Sequence, residues 1–244
     1  MNGLIESVTS NVGYVLSFLG IIVGIFVVAV LLEKIAQKKN NVKEPILTTR
    51  KTAMIGMFSA MAAVLMLWEL PLFFAPGFYK LDFSELPILV GTFAFGPAAG
   101  VLMEFIKIVL KLFLKGTSTA FVGELANFVV GCSFILIASV IYSFRKTKKT
   151  AVIACVAGTL FMTIFGSIFN AVYLLPAFTK FMPMDKILAM GMEANPLVRE
   201  GDIVSFVIAC VVPLNLLKGT LVSLLTLLIY KPLSPIIKFG HKQK

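Results

Sequence analysis

Four groups of polar side chains interrupt otherwise apolar stretches of this sequence. Glu104, Lys107 and Lys111 follow i, i+3, i+7 spacing, which sets three charges on one helical face and lets the first two pair. Glu124 and Asn127, Asn170 and Tyr173, and Asn215 and Lys218 each stand three residues apart. Such groups are costly in hydrocarbon, and those found there face a bundle interior or a wet cavity. Carboxylates accept, ammonium groups donate and amides do both, so the set suits a polar small molecule held by directed hydrogen bonds. Lys218 has no acid one turn away, which marks it as a buried cation that takes its partner from a ligand. The competing use is structural, with Glu104 and Lys107 as an internal ion pair and the amides joining helices.

Two loops point the same way. Phe78-Tyr79-Lys80-Leu81-Asp82-Phe83-Ser84-Glu85 mixes aromatics with charges, and Lys115-Gly116-Thr117-Ser118-Thr119 offers three hydroxyls beside a lysine. The stretch from Phe74 to Leu86 is long enough to fold over a cavity mouth as a lid. Asp82 and Glu85 could also share a helix face as a carboxylate pair for metal or acid–base work, but no histidine stands near them. The single histidine, His241, lies in a basic tail, so His-based triads and zincin motifs are excluded. Cys132, Cys155 and Cys210 sit in apolar runs without a C-x-x-C pair and are expected to be packing residues. No metal or resident cofactor is expected. A G-x-x-x-x-G-K-[ST] phosphate cradle does not occur, so energy from ATP must come from a partner.

The elements that carry these groups are set by composition. Of 244 residues 59% are hydrophobic and 14% charged, with a mean hydropathy of +0.97. That describes an all-α integral membrane protein, in which a formal charge of +10 speaks of topology and not of nucleic acid. Apolar runs fall near Val12 to Leu32, Thr52 to Phe74, Leu86 to Phe95, Pro97 to Leu114, Ala120 to Phe144, Ala151 to Leu175 and Ile203 to Tyr230. The third is short, and a turn is expected at Phe95-Gly96-Pro97. The first is too long for a signal peptide and is expected to be retained as an extra helix. Of 22 basic residues, fourteen fall in the Lys34 to Lys51 linker, the Arg145 to Lys149 loop and the tail from Lys231, against five on the alternate faces. The positive-inside rule then predicts seven spans with the N-terminus outside and the C-terminus in the cytoplasm. Residues 1–50 form the extra helix and a basic linker, 51–232 a six-helix core, and 233–244 a basic tail. On the first core helix Gly56, Ser59, Ala60 and Ala63 form overlapping small-x-x-x-small pairs, an approach face for another helix inside the bundle or in a partner.

From Lys51 to Tyr230 the chain resembles the substrate-binding S components of energy-coupling factor (ECF) transporters, and among them the riboflavin-specific ones. The resemblance is carried by Lys80-Leu81-Asp82-Phe83-Ser84-Glu85-Leu86-Pro87, by Phe95-Gly96-Pro97 with Ala99-Gly100, and by Lys115-Gly116-Thr117-Ser118-Thr119 with Gly123-Glu124-Leu125-Ala126-Asn127. Asn170-x-x-Tyr173 with Leu175-Pro176 and Pro213-x-Asn215-Leu216-Leu217-Lys218-Gly219 complete it. It implies a six-helix core, preceded here by an extra transmembrane helix, that captures riboflavin from outside. It also implies a membrane-embedded coupling protein and two cytoplasmic ATPases as partners, the coupling protein docking on the Gly56, Ser59, Ala60, Ala63 strip. Asn170, Asn215 and Lys218 are expected to hydrogen-bond the vitamin, Tyr173 to pack near its ring, and Leu81 with the Thr117, Ser118 and Thr119 hydroxyls to line the mouth. Asp82, Glu124 and Asn127 join this expected set. Another vitamin within the family remains the nearest alternative. A stand-alone secondary transporter is a more distant one, since only one broken run is visible where inverted repeats would supply a pair.

Overall fold

The computed structural model describes residues 12–41, 45–117, 119 and 121–238. Helix α1 spans Val12–Lys39 and α2 spans Thr49–Leu67. A short antiparallel ribbon follows, β1 (Leu70–Pro71) against β2 (Lys80–Leu81), with Leu70 opposite Leu81. Then come α3 (Glu85–Phe95), α4 (Pro97–Lys115), α5 (Val122–Phe144), α6 (Lys148–Phe178) and α7 (Met184–Ala194). The last helix, α8, starts as Ile203–Phe206, widens over Val207–Val211 and continues as Val212–Lys238. Ser118, Ala120 and the end of the basic tail lie outside the described residues.

Among the described residues five helices are long and apolar enough to cross a membrane: α1, α2, α5, α6 and α8. The two other runs differ for physical reasons. Helix α3 is apolar but has 11 residues, about 16 Å of rise against a hydrocarbon core of about 30 Å. Helix α4 has the length, 19 residues, but carries four charges, and three of these (Glu104, Lys107, Lys111) are turned into the bundle with Val101, Met103 and Ile108. The α3–α4 turn falls where expected, at Gly96, whose φ of +99° suits a residue without Cβ. Pro97 then opens α4 at its first position, where its missing N–H costs nothing.

Helices α5 and α6 lie side by side, α8 packs on α6 and α3, and α2 packs on α4. Close approach is made possible by Gly158, where a Cβ would meet the Phe134 carbonyl at 3.0 Å. Helix α1 runs past the expected Leu32, so Lys34, Lys38 and Lys39 are helical and not linker. It packs on α4 and α5, and its buried Glu33 accepts the Ala98 N–H at 3.1 Å, supplying a carboxylate to the first turn of α4. Helix α7 occupies what the hydropathy pattern leaves as loop. It buries Ile187, Leu188 and Gly191 against Phe206 and Val198.

Helices α6 and α8 share a local device. In α6 the turn Asn170–Leu174 is a π-turn, closed by Leu175 N–H bonding five residues back to Asn170 O, with Pro176 next. In α8 the turn Val207–Val211 is likewise closed by Val212 N–H to Val207 O, with Pro213 next. Each π-turn thus ends two residues before a proline, and the two turns face each other.

Candidate functional site

The π-turns border an internal chamber at the end of the bundle where α3 begins and α6 ends. Val130, Met162, Leu174, Phe178, Val211 and Leu214 give it apolar walls. Its polar groups are Asn127 on α5, Asn170 on α6, Asn215 and Lys218 on α8, Glu85 at the start of α3, and Tyr79 and Lys80 from the β1–β2 segment. The chamber holds about 150 Å³, and beside it a second of about 420 Å³ is lined by Glu69, Asp82, Lys111, Lys115, Thr117, Thr119 and Glu124. Phe78, Lys80, Gly123 and Asn127 line both. The inner space alone is below the range of about 300–1,000 Å³ usual for a small-molecule site, and the two together reach it.

Behind the inner chamber lies a buried charge network. Lys218 Nζ is 2.9 Å from Asp82 Oδ2 and 2.8 Å from Glu85 Oε2, so Lys218 does have acidic partners, across the bundle instead of along its own helix. Lys107 Nζ, fully buried, donates to Asn127 Oδ1 at 2.9 Å, Ser84 Oγ at 3.2 Å and Glu85 Oε1 at 3.3 Å. It also lies 2.6 Å from Glu104 Oε2, as the i, i+3 spacing predicts, although neither Glu104 oxygen has a donor in hydrogen-bond geometry among the described residues. Lys111 leaves that network and pairs with Glu124. Burial pushes the Asp82 carboxyl up, but Lys218 and Lys107 outweigh it and hold Asp82 below the usual carboxylate range. Asp82 also accepts the Ser84 N–H, fixing the entry to α3.

Burial raises the Tyr79 hydroxyl, which stays protonated and donates to Asn170 Oδ1. This bond fastens the β1–β2 segment to the π-turn of α6. The same segment is fastened at its other end by Glu69, whose Oε2 lies 2.7 Å from both Lys80 Nζ and Lys115 Nζ. Asn215 meets Gly166 across the chamber, where an added Cβ would lie 2.9 Å from Asn215 Nδ2.

The remaining expected site residues divide. The Thr117 and Thr119 hydroxyls donate to Glu124 Oε2 at 3.0 and 3.2 Å and accept the Phe121 and Gly123 N–H groups, so they order the entry to α5 as well as line the outer chamber. Ser118 lies outside the described residues. Leu81 is buried in β2, between Lys80 and Asp82, and lines neither chamber. Tyr173 lines neither chamber: it stacks on Phe169, with ring centroids 5.2 Å apart, at the end of a ladder that runs from Phe161 through Phe165. Of the α2 strip, Ser59 and Ala63 are buried inside the bundle while Gly56 and Ala60 are exposed. Spacing along the chain joins Lys107 only to Glu104 and Lys111 and places Tyr79 and Ser84 only in a loop; the partners that bring these three into the site, Asn127 and Glu85 for Lys107, Asn170 for Tyr79 and Lys107 for Ser84, come largely from distant segments.

Residues 50–230 match the family model described as ECF transporter, substrate-specific component. The chain belongs to that family. Among curated relatives of this S component, the riboflavin transporter FmnP of Bacillus subtilis (strain 168) is 32% identical over 190 residues, covering 78% of this chain and 94% of the relative. The riboflavin transporter RibU of Staphylococcus aureus (strain TCH60) is 33% identical over 185 residues, covering 75% and 90%. A structure described as the S component of a bacterial ECF transporter superposes with a TM-score of 0.61 at 32% identity, covering 78% of this chain and 98% of that one. The protein is therefore a multi-pass bacterial membrane protein and a transporter component, not an enzyme. Helix α1 lies before the family match, which starts at residue 50.

Proposed function

We propose that this S component captures riboflavin and serves as the membrane-embedded substrate-binding subunit of an ATP-driven ECF transporter, with ATP hydrolysis supplied by its partners. The carrying observation is the inner chamber, where apolar walls meet Asn127, Asn170, Asn215 and Lys218. Riboflavin has a flat, largely apolar ring with a uracil-like edge of donors and acceptors and a hydroxylated ribityl chain. The ring fits between the apolar walls with its polar edge toward the amides, and the ribityl chain extends toward the outer chamber. The relatives' names as riboflavin transporters support the same ligand.

In this proposal α3 and α4 cross the membrane with the five apolar helices, giving seven spans, the N-terminus outside and the C-terminus in the cytoplasm. The chambers then lie at the outer end, and most basic residues lie at the other. The coupling protein docks on the exposed Gly56 and Ala60 face of α2, flanked by Met57, Met61 and Val64. Helix α1 packs on α4 and α5 and leaves that face open.

The test is a titration. The chain is purified in detergent, stripped of flavin, and riboflavin is added while flavin fluorescence and the single tryptophan, Trp68, are followed; Trp68 stands just before β1 and is 76% exposed. Saturable one-to-one binding lost in Asn215→Ala supports the proposal. A folded chain that ignores riboflavin points to another vitamin on the same architecture.

A further inference from the structure

Proline at position 213 leaves an obligation elsewhere in the fold. The helical donor to Ala209 O would be the N–H of residue 213, and proline has none. Nor does the preceding residue help, because Val212 N–H reaches back to Val207 O. Ala209 is buried, and a buried carbonyl without a donor is costly. A donor comes from outside the helix: Asn195, just past the end of α7, gives its side-chain N–H to Ala209 O at 2.9 Å. Its amide cannot be turned round, since Asn195 Oδ1 accepts the Leu197 N–H at 3.1 Å. The same nitrogen lies 3.5 Å from Phe74 O, on the segment between β1 and β2.

Asn195 thus stands where three parts meet: the end of α7, the β1–β2 segment over the chamber, and the π-turn of α8. From that π-turn onward α8 presents Val211, Leu214, Asn215 and Lys218 to the chamber. We infer that Asn195 is a positioning residue for ligand binding, a clasp that holds the α8 π-turn in the register that aims Asn215 and Lys218, and ties that register to the β1–β2 segment. Asn195 itself lines neither chamber. Its effect on binding rests on the riboflavin proposal, whereas its effect on the π-turn does not.

The experiment is a double-mutant cycle of Asn195→Asp and Pro213→Ala in the full chain. Asn195→Asp keeps the acceptor for Leu197 N–H and removes the donor to Ala209 O; Pro213→Ala restores a backbone N–H at position 213 that can serve the same carbonyl. Riboflavin affinity should fall about tenfold or more in Asn195→Asp, and the loss should shrink to about threefold or less in the Pro213→Ala background. The melting temperature without ligand should show the same coupling. A full loss in both backgrounds, or none in the wild-type background, overturns the inference. Should Pro213→Ala by itself abolish flavin binding, or wild type bind no riboflavin, the melting cycle alone decides: equal shifts in both backgrounds, or none, overturn it. Wild-type failure to bind counts only against the riboflavin proposal.

Discussion

Lys218 Nζ lies 2.9 Å from Asp82 Oδ2, joining α8 to the segment that enters α3 across 136 residues of sequence. Removing one partner of such a buried pair leaves the other uncompensated, a loss of about 3–5 kcal/mol. Lys218→Met should destabilise by that order, and the double variant Lys218→Met/Asp82→Asn by less than the sum of the single changes. Unfolding in detergent, monitored with and without riboflavin, measures both the stability and the binding consequence.

Lys107 does for Asn127 what Lys218 does for Asp82. By donating to Asn127 Oδ1 it leaves the amide nitrogen as the donor available to the chamber. Lys107→Met frees that amide to rotate and strips a donor from Ser84 and Glu85. Riboflavin affinity should drop about 10-fold or more, on the scale of about 1.5–3 kcal/mol for hydrogen bonds to a charged group. Titration of the variant against wild type is the check.

Gly166 permits Asn215 to sit where it does. A methyl group there would press on Asn215 Nδ2, the far end of a side chain that can swing away, so Gly166→Ala should cost affinity and little stability. Gly20→Ala is the matched control, because an added Cβ at Gly20 has nothing within 4 Å. Equal riboflavin affinity in the two variants would show that Asn215 is not placed by this contact.

Glu69 gives a pH dependence with a definite sign. Partial burial raises its carboxyl, but hydrogen bonds from Lys115 and Lys80 outweigh this and hold it below its ordinary 4.5. A depressed carboxylate contributes stability above its unfolded value, and that contribution disappears as pH falls through the folded one. The melting-temperature difference between wild type and Glu69→Gln should therefore be constant from neutral pH to about 4.5 and fade below it. The lysines are well exposed, so added salt should shrink the difference as well.

Spacing along single helices was the legible part of this sequence. The i, i+3 rule found Glu104 with Lys107, and the Asn215/Lys218 step found two residues of the inner chamber. The same rule is blind across helices, which is why Lys218 read as unpartnered although Asp82 and Glu85 both reach it. It also assumes an unbroken helix. The turn at Asn170–Leu174 is a π-turn, and there Asn170 lines the chamber while Tyr173 stacks on Phe169. Hydropathy found the long spans but ranked α4 by its apolar residues, when the informative fact is that its charges are buried. Helix α7 has apolar residues at helical spacing, Ile187, Leu188 and Gly191, and was missed because a short amphipathic segment reads as polar loop beside twenty-residue apolar runs.

The carboxylate that Glu33 lends to α4 bears on the order of events during synthesis. Its acceptor–donor contact with Ala98 N–H spans 65 residues, and at about 5–20 residues per second the ribosome needs about 3–13 s to produce the partner. Helix α1 therefore enters the bilayer before the surface it docks on exists. Glu33 stands within two turns of the helix end at Lys39, close enough to the headgroups to stay hydrated through that interval. Lateral docking of α1 thus cannot precede synthesis of the α3–α4 turn and of the Ala98 N–H that Glu33 caps.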